Sequence, residues 1–91
     1  MMKRDFDELY LGGDGTSLEK AVKINAPTTS TGIAAEYEYV ARIHGRIDED
    51  WELELQALMD RDDKKYDVLY IRLREGRRLA YFFDITGFFG K

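Results

Sequence analysis

The stretch that decides the fold is residues 66–85, Tyr66-Asp67-Val68-Leu69-Tyr70-Ile71-Arg72-Leu73-Arg74-Glu75-Gly76-Arg77-Arg78-Leu79-Ala80-Tyr81-Phe82-Phe83-Asp84-Ile85. Two runs of β-branched, aromatic and aliphatic residues flank Arg74-Glu75-Gly76, and such runs favour strands. A two-residue loop at Glu75-Gly76 would pair Leu73 with Arg78 and Ile71 with Ala80, mixing the two faces. A three-residue loop, Arg74-Glu75-Gly76, with Gly76 at positive φ as a G1 bulge, keeps them apart. Leu69, Ile71 and Leu73 then share a face with Leu79, Tyr81, Phe83 and Ile85. A slip of one residue would exchange the faces, so the apolar pattern selects the second pairing.

Upstream, Trp51, Leu53, Leu55, Ala57 and Met59 alternate with Glu52, Glu54, Gln56 and Asp60, with Leu58 the exception. A period of two predicts a half-buried strand. Residues 60–65 are charged throughout and are expected to form the connection to the next strand. Alignment of the apolar faces would bring Glu52 and Glu54 near Arg72 and Arg74 on the outer face, where opposite charges help to fix the register.

Toward the N-terminus the elements are shorter. Phe6 to Leu11 predicts a short strand, stopped by Gly12-Gly13-Asp14-Gly15. Thr16-Ser17-Leu18-Glu19 has capping-box spacing and predicts a single helical turn. Residues 21–25 predict another short strand, ended by Pro27. A helix is expected from about Gly32 to His44, capped at Ser30 or Thr31, with Gly45 at the position after its end. Ile33, Tyr37, Val40 and His44, with Ala34 and Ala41 beside them, would form its apolar face. Glu38 and Arg42 are spaced as an exposed i, i+4 pair. The expectation is one α+β domain over residues 1–91: a mainly antiparallel sheet of three to five strands, with one amphipathic helix packed on the Leu69, Ile71, Tyr81 and Phe83 face.

Composition narrows the function classes. Hydrophobic residues make up 44% of the 91 and there is one proline, which argues against a disordered chain. No stretch approaches the roughly 20 apolar residues of a membrane span. Residues 1–8 show no apolar signal core behind their basic pair, so a cytoplasmic protein is the simplest expectation. Without cysteine there is no disulfide framework, thiolate metal site or thiol nucleophile. The net charge of −4 is divided unevenly. Residues 1–60 carry 6 Lys/Arg against 13 Asp/Glu, and residues 61–91 carry 8 against 5. That split suits internal pairing, or head-to-tail association, better than nonspecific binding to phosphates.

No stretch carries a catalytic or cofactor signature, and no catalytic residue, cofactor or metal is assigned. The Gly12–Ser17 loop could offer backbone N–H groups to a phosphate, but it lacks the spacing of known phosphate loops, and Asp14 would repel the anion. Asp60, Asp62, Asp63 and Asp67 could gather round a calcium ion, though no EF-hand pattern is present and Lys64 and Lys65 offset their charge. His44, the sole histidine, is expected to favour the helix C-terminus in its protonated form rather than to act in catalysis.

The outer face of the hairpin is the candidate binding surface. Tyr66, Tyr70, Arg72, Arg78 and Phe82 project there together with Val68 and Ala80. Interfaces enrich aromatic residues and arginine, so a protein partner or a second copy of the chain fits this face. Stacking of single-stranded nucleic acid on the same aromatics is the alternative, and a small ligand-binding protein or carboxylate-dependent enzyme the second. The order helix then three antiparallel strands resembles the double-stranded-RNA-binding domain, but that domain's lysine-rich second helix has no counterpart in residues 86–91. A sheet with two apolar faces needs cover on both. Phe6, Tyr10 and Leu11 could supply it within the chain, with Phe88 and Phe89 over an edge; otherwise a partner must.

Overall fold

In the computed structural model, which describes residues 9–91, the three-residue loop forms as its chemistry asks. The Leu73 N–H donates to the Arg77 carbonyl and the Gly76 N–H to the Leu73 carbonyl, both at 2.8 Å. Gly76 has φ +107°, a conformation that a β-carbon disfavours. Strands β4 (Lys64–Leu73) and β5 (Arg78–Asp84) pair antiparallel, with Ile71 opposite Leu79 and Leu69 opposite Tyr81. The apolar pattern therefore selects the observed register, and Leu69, Ile71, Tyr81 and Phe83 lie in one buried core.

Strand β3 (Trp51–Arg61) adds to β4 and runs further than expected. The charged connection shrinks to Asp62-Asp63, both at positive φ (51° and 65°), as tight two-residue hairpins require. Asp60, Arg61, Lys64 and Lys65 are strand residues, and Asp60 pairs with Lys65 at 2.5 Å.

The larger correction lies inside β3. Leu53 stands opposite Ile71, but Leu55 stands opposite Tyr70, so Glu54 is an extra residue. This β-bulge reverses the alternation beyond it. Trp51 and Leu53 face the core as expected. Leu55, Ala57 and Met59 sit opposite Tyr70, Val68 and Tyr66 on the outer face, while Gln56 and Leu58 turn inward opposite Leu69 and Asp67.

The other edge is built from β1 (Tyr10–Gly12) and β2 (Val22–Ile24). The sheet order is β1-β2-β5-β4-β3, antiparallel except where β2 runs parallel to β5. Of the strand expected over Phe6–Leu11, Tyr10 and Leu11 belong to β1, and residues 6–8 lie outside the described residues. Residues 17–20 form a turn instead of a helical one, with the Lys20 N–H bonded to the Ser17 carbonyl at 3.1 Å.

Helix α1 (Thr29–His44) begins three residues earlier than its apolar pattern suggested. Its cap is Thr28, not Ser30 or Thr31. The Thr28 hydroxyl accepts from the Thr31 N–H at 3.2 Å, and the Thr31 hydroxyl accepts from the Thr28 N–H at 3.3 Å. Threonine thus takes the role that glutamate has in the usual capping box. Gly45 ends the helix as expected, donating to the Ala41 carbonyl at 2.9 Å. The helix is rotated from the expected face: Gly32, Ala35, Glu36 and Val40 are buried, whereas Ile33 and Ala34 are exposed. Small residues explain the rotation, since a β-carbon at Gly32 would sit 2.3 Å from the Phe88 ring. Among the described residues the architecture is α+β, one helix on one face of a five-stranded, mostly antiparallel sheet. No helix among the described residues is long and apolar enough to cross a membrane.

Candidate functional site

The two faces of the sheet hold different chemistry. On the outer face, β3, β4 and β5 contribute an acidic–basic end and an aromatic end. Glu52 and Glu54 meet Arg72 and Arg78, with the Arg72 Nε donating to Glu52 at 2.9 Å and the Arg78 Nε to Glu54 at 2.9 Å. Arg78 replaces Arg74 as the second expected partner, because Arg74 belongs to the loop. The bulge aids this arrangement by keeping both glutamates on the outer side. Beyond the arginines lie Tyr66, Tyr70 and Phe82, joined by Leu55, Ala57 and Met59, which the sequence pattern had assigned to the core. Leu55 is 59% exposed and Tyr70 37%.

Of the residues expected to cover this face, Phe6 lies outside the described residues and the others go elsewhere. The Tyr10 hydroxyl donates to the Ala35 carbonyl of α1 at 2.7 Å, which fixes Tyr10 on the helix side. Phe88 packs under Gly32 in the core, and Phe89 stays exposed with the Lys65 ammonium 5.1 Å from its ring centre. Leu11 is also exposed.

The inner face holds a pair of buried acids. Glu36 of α1 is 0% exposed, and neither carboxylate oxygen meets a hydrogen-bond donor. Beside it is Asp67 of β4, 4% exposed, whose Oδ2 accepts from the Gln56 side-chain amide at 2.8 Å. Burial pushes the Glu36 carboxyl up to about 10, helped by neighbouring Asp67, which can accept a hydrogen bond only from the protonated form and whose charge opposes ionisation. Two ionised carboxylates offer each other only acceptors, so a proton on Glu36 turns repulsion into a hydrogen bond. The Tyr37 hydroxyl is raised too, chiefly by burial and then by these acids.

Asp67 and Gln56 open onto a pocket of about 420 Å³. Ile33, Leu58, Ile85, Phe88 and Phe89 form its apolar walls, with Thr29 at the helix end. Gln56 and Leu58 reach it only because the bulge turned them inward.

The remaining candidates resolve into structural roles. In the Gly12–Ser17 loop the N–H groups of Gly13 and Gly15 bond to the Ala21 and Lys20 carbonyls, and the Thr16 N–H bonds to Asp14. These hydrogen bonds also hold the Asp14 carboxyl below its ordinary range. Three of the backbone donors a phosphate would need are thus engaged. Asp60 and Asp67 separate, one to Lys65 and one to the inner face, and among the described residues no three acids or imidazoles converge as a metal would require. His44 departs from expectation. Its Nε2 is hydrogen-bonded to the Tyr81 hydroxyl at 2.8 Å, and burial, with Arg77 nearby, lowers its pKa. A neutral ring packed on Tyr81 replaces the charged helix terminus.

Tyr66, Tyr70, Arg72, Arg78 and Phe82 do share one face, though the arginines stand at the paired end. Sequence reasoning missed Glu36, Gln56 and Leu58. A signal existed in Leu58, the one residue that broke the alternation, and in Gly32 and Ala35, which mark close helix approach. The chain matches no protein-family model, no curated protein and no solved structure, so its fold and chemistry stand on these residues alone.

Proposed function

We propose that the protein is a non-catalytic interaction module that associates with a second copy of itself through the outer sheet face, serving as an adaptor or regulatory partner. The observation that carries this reading is an aromatic and aliphatic surface that stays exposed at Leu55 and Tyr70 while the adjoining arginines are already neutralised. Exposed apolar patches of this kind mark contact surfaces. The neighbouring edge of β3 supports the same partner. From Leu55 to Met59 it carries no charge, and an unpaired edge strand is a template for another strand. Pairing two such edges antiparallel would join the two outer faces into one surface, as twofold dimers do.

The same ion pairs count against nucleic acid, because arginines held by Glu52 and Glu54 are poorly placed to release counterions from phosphates. Light scattering across a wide concentration series tests the proposal. The expected result is a dimer that Leu55→Asp converts to a monomer with unchanged circular dichroism. A monomer throughout the series, or a dimer indifferent to Leu55→Asp, would overturn it.

A further inference from the structure

The two most exposed large apolar side chains among the described residues both belong to β3, Leu55 at 59% on the outer face and Leu58 at 56% on the inner. A partner lying flat on the outer face would cover the first and leave the second in water. Among the described residues β3 is also an edge of the sheet, with a row of outward N–H and C=O groups that meet no strand. A strand laid alongside β3 covers both leucines and the edge together. Helix α1 leaves room for it on the inner side. The Tyr37 ring stacks on Trp51 at 6.3 Å where β3 begins. Beyond the bulge Gln56 and Leu58 line a pocket of about 420 Å³, with Ile33 and Phe89 exposed at its margin.

The sequence of β3 says which strand fits. Leu55-Gln56-Ala57-Leu58-Met59 is uncharged, with Glu54 before it and Asp60 after. Edges are commonly guarded by lysine, proline or an inward charge, and this run has none of them. Residues opposite one another in an antiparallel pair share a face, so a β3–β3 ladder is centred on a residue and not between two. Centred on Ala57, it sets Leu55 against Met59 and Gln56 against Leu58, all within the uncharged run. Centred one residue earlier it sets Leu58 against Glu54, and one residue later Leu55 against Arg61. Glu54 and Asp60, at the ends of the centred ladder, are each held already by a cation of their own chain, Arg78 and Lys65.

Resting on the self-association proposed above, we infer that two copies join β3 to β3, antiparallel about Ala57, and merge their five-stranded sheets into one. The partner is a second copy because the run complements itself only when centred. Each copy's Gln56 and Leu58 stand opposite the other's Leu58 and Gln56 on the inner face, so each inner pocket gains a wall from the partner. The twofold axis passes by the smallest side chain of the run, where a residue must meet its own copy.

The chain has no cysteine, so a single introduced one reports its own neighbours. Under mild oxidation Ala57→Cys should form a covalent dimer, because the Cα atoms of a residue at the axis lie about 5 Å apart, within a disulfide's span. Leu55→Cys should not, since its own copy lies about 14 Å away along the ladder. Leu58→Asp should weaken the dimer at least about tenfold in light scattering, with circular dichroism unchanged, although Leu58 is on the face away from Leu55. A dimer indifferent to Leu58→Asp, or one that cross-links no faster through Ala57→Cys than through Leu55→Cys, would overturn the edge ladder and leave self-association through the outer face standing. A wild-type chain that stays monomeric across the concentration series would overturn both. The cross-linking comparison uses conservative changes, so it decides the question even if Leu58→Asp fails to fold.

Discussion

The inner and outer faces of this sheet solve opposite problems. Under α1 the difficulty is polar: the Glu36 acid is trapped where water cannot reach it. On the outer side the charges are matched, and the difficulty is apolar: Leu55 and Tyr70 meet solvent. Burial turns a carboxylate into a carboxylic acid on one face, and its absence leaves hydrocarbon exposed on the other. Both anomalies trace to β3, whose bulge sends aliphatic residues out and brings Gln56 and Leu58 in. The difference teaches that a patterned strand need not carry one pattern along its whole length.

The sharpest contrast between the faces should appear in stability. Phe83, fully buried against Tyr39 at 5.7 Å between ring centres, anchors the inner side. Truncation by Phe83→Ala should cost about 3–5 kcal/mol in denaturant unfolding. A cost under about 1 kcal/mol would show that the inner face is not the tightly packed core.

Glu36 gives the inner face a pH signature. The unfolded chain has a glutamate near 4.5, and the folded chain holds its proton to about 10, so folding takes up a proton between those values. Stability is thus fullest below about 4.5 and falls as pH rises toward about 10, by up to about 1.4 kcal/mol per pH unit. Glu36→Gln keeps the shape without the titration, so it should flatten this slope and stabilise the protein at neutral pH. Parallel slopes for the two proteins, measured by urea unfolding, would show that Glu36 is not the group responsible.

Smaller effects belong to the hairpin and the open face. Gly76 has no atom within 4 Å of where a β-carbon would lie, so Gly76→Ala tests the φ of +107° without a clash. It should lower stability by about 1 kcal/mol. Least of all, Tyr70→Ala should move stability by no more than about 0.5 kcal/mol while weakening self-association. A large loss of stability there would mean that the outer face is core and not a contact surface.

Much of this architecture was legible because local and global signals agreed. The β4–β5 register followed from apolar alternation, Gly76 and the length of the loop, all of which are local. The end of α1 was readable from Gly45 for the same reason. The bulge was not, because Glu54 is polar in a place where a polar residue was already due outside. Nothing distinguishes a regular outward glutamate from an extra one until Leu58 falls on the wrong parity. Glu36 was hidden by a different cause. A glutamate in a helix reads as solvated, and only the packing of Gly32 and Ala35 against the sheet rotates it inward. His44 likewise looked like a terminal charge until Tyr81 met it across the core.

Position 54 behaves as a phase shift in an otherwise regular wave. Deleting that one residue would remove no core side chain and would make Leu53 and Leu55 successive ladder positions, a single phase from Trp51 to Arg61 with every residue still on its present face. Flattening the bulge with Glu54 kept would do the opposite: Leu55, Ala57 and Met59 would turn under the helix, and Gln56 and Leu58 would leave the acid pocket. Where the one extra residue is absorbed therefore decides both surfaces at once.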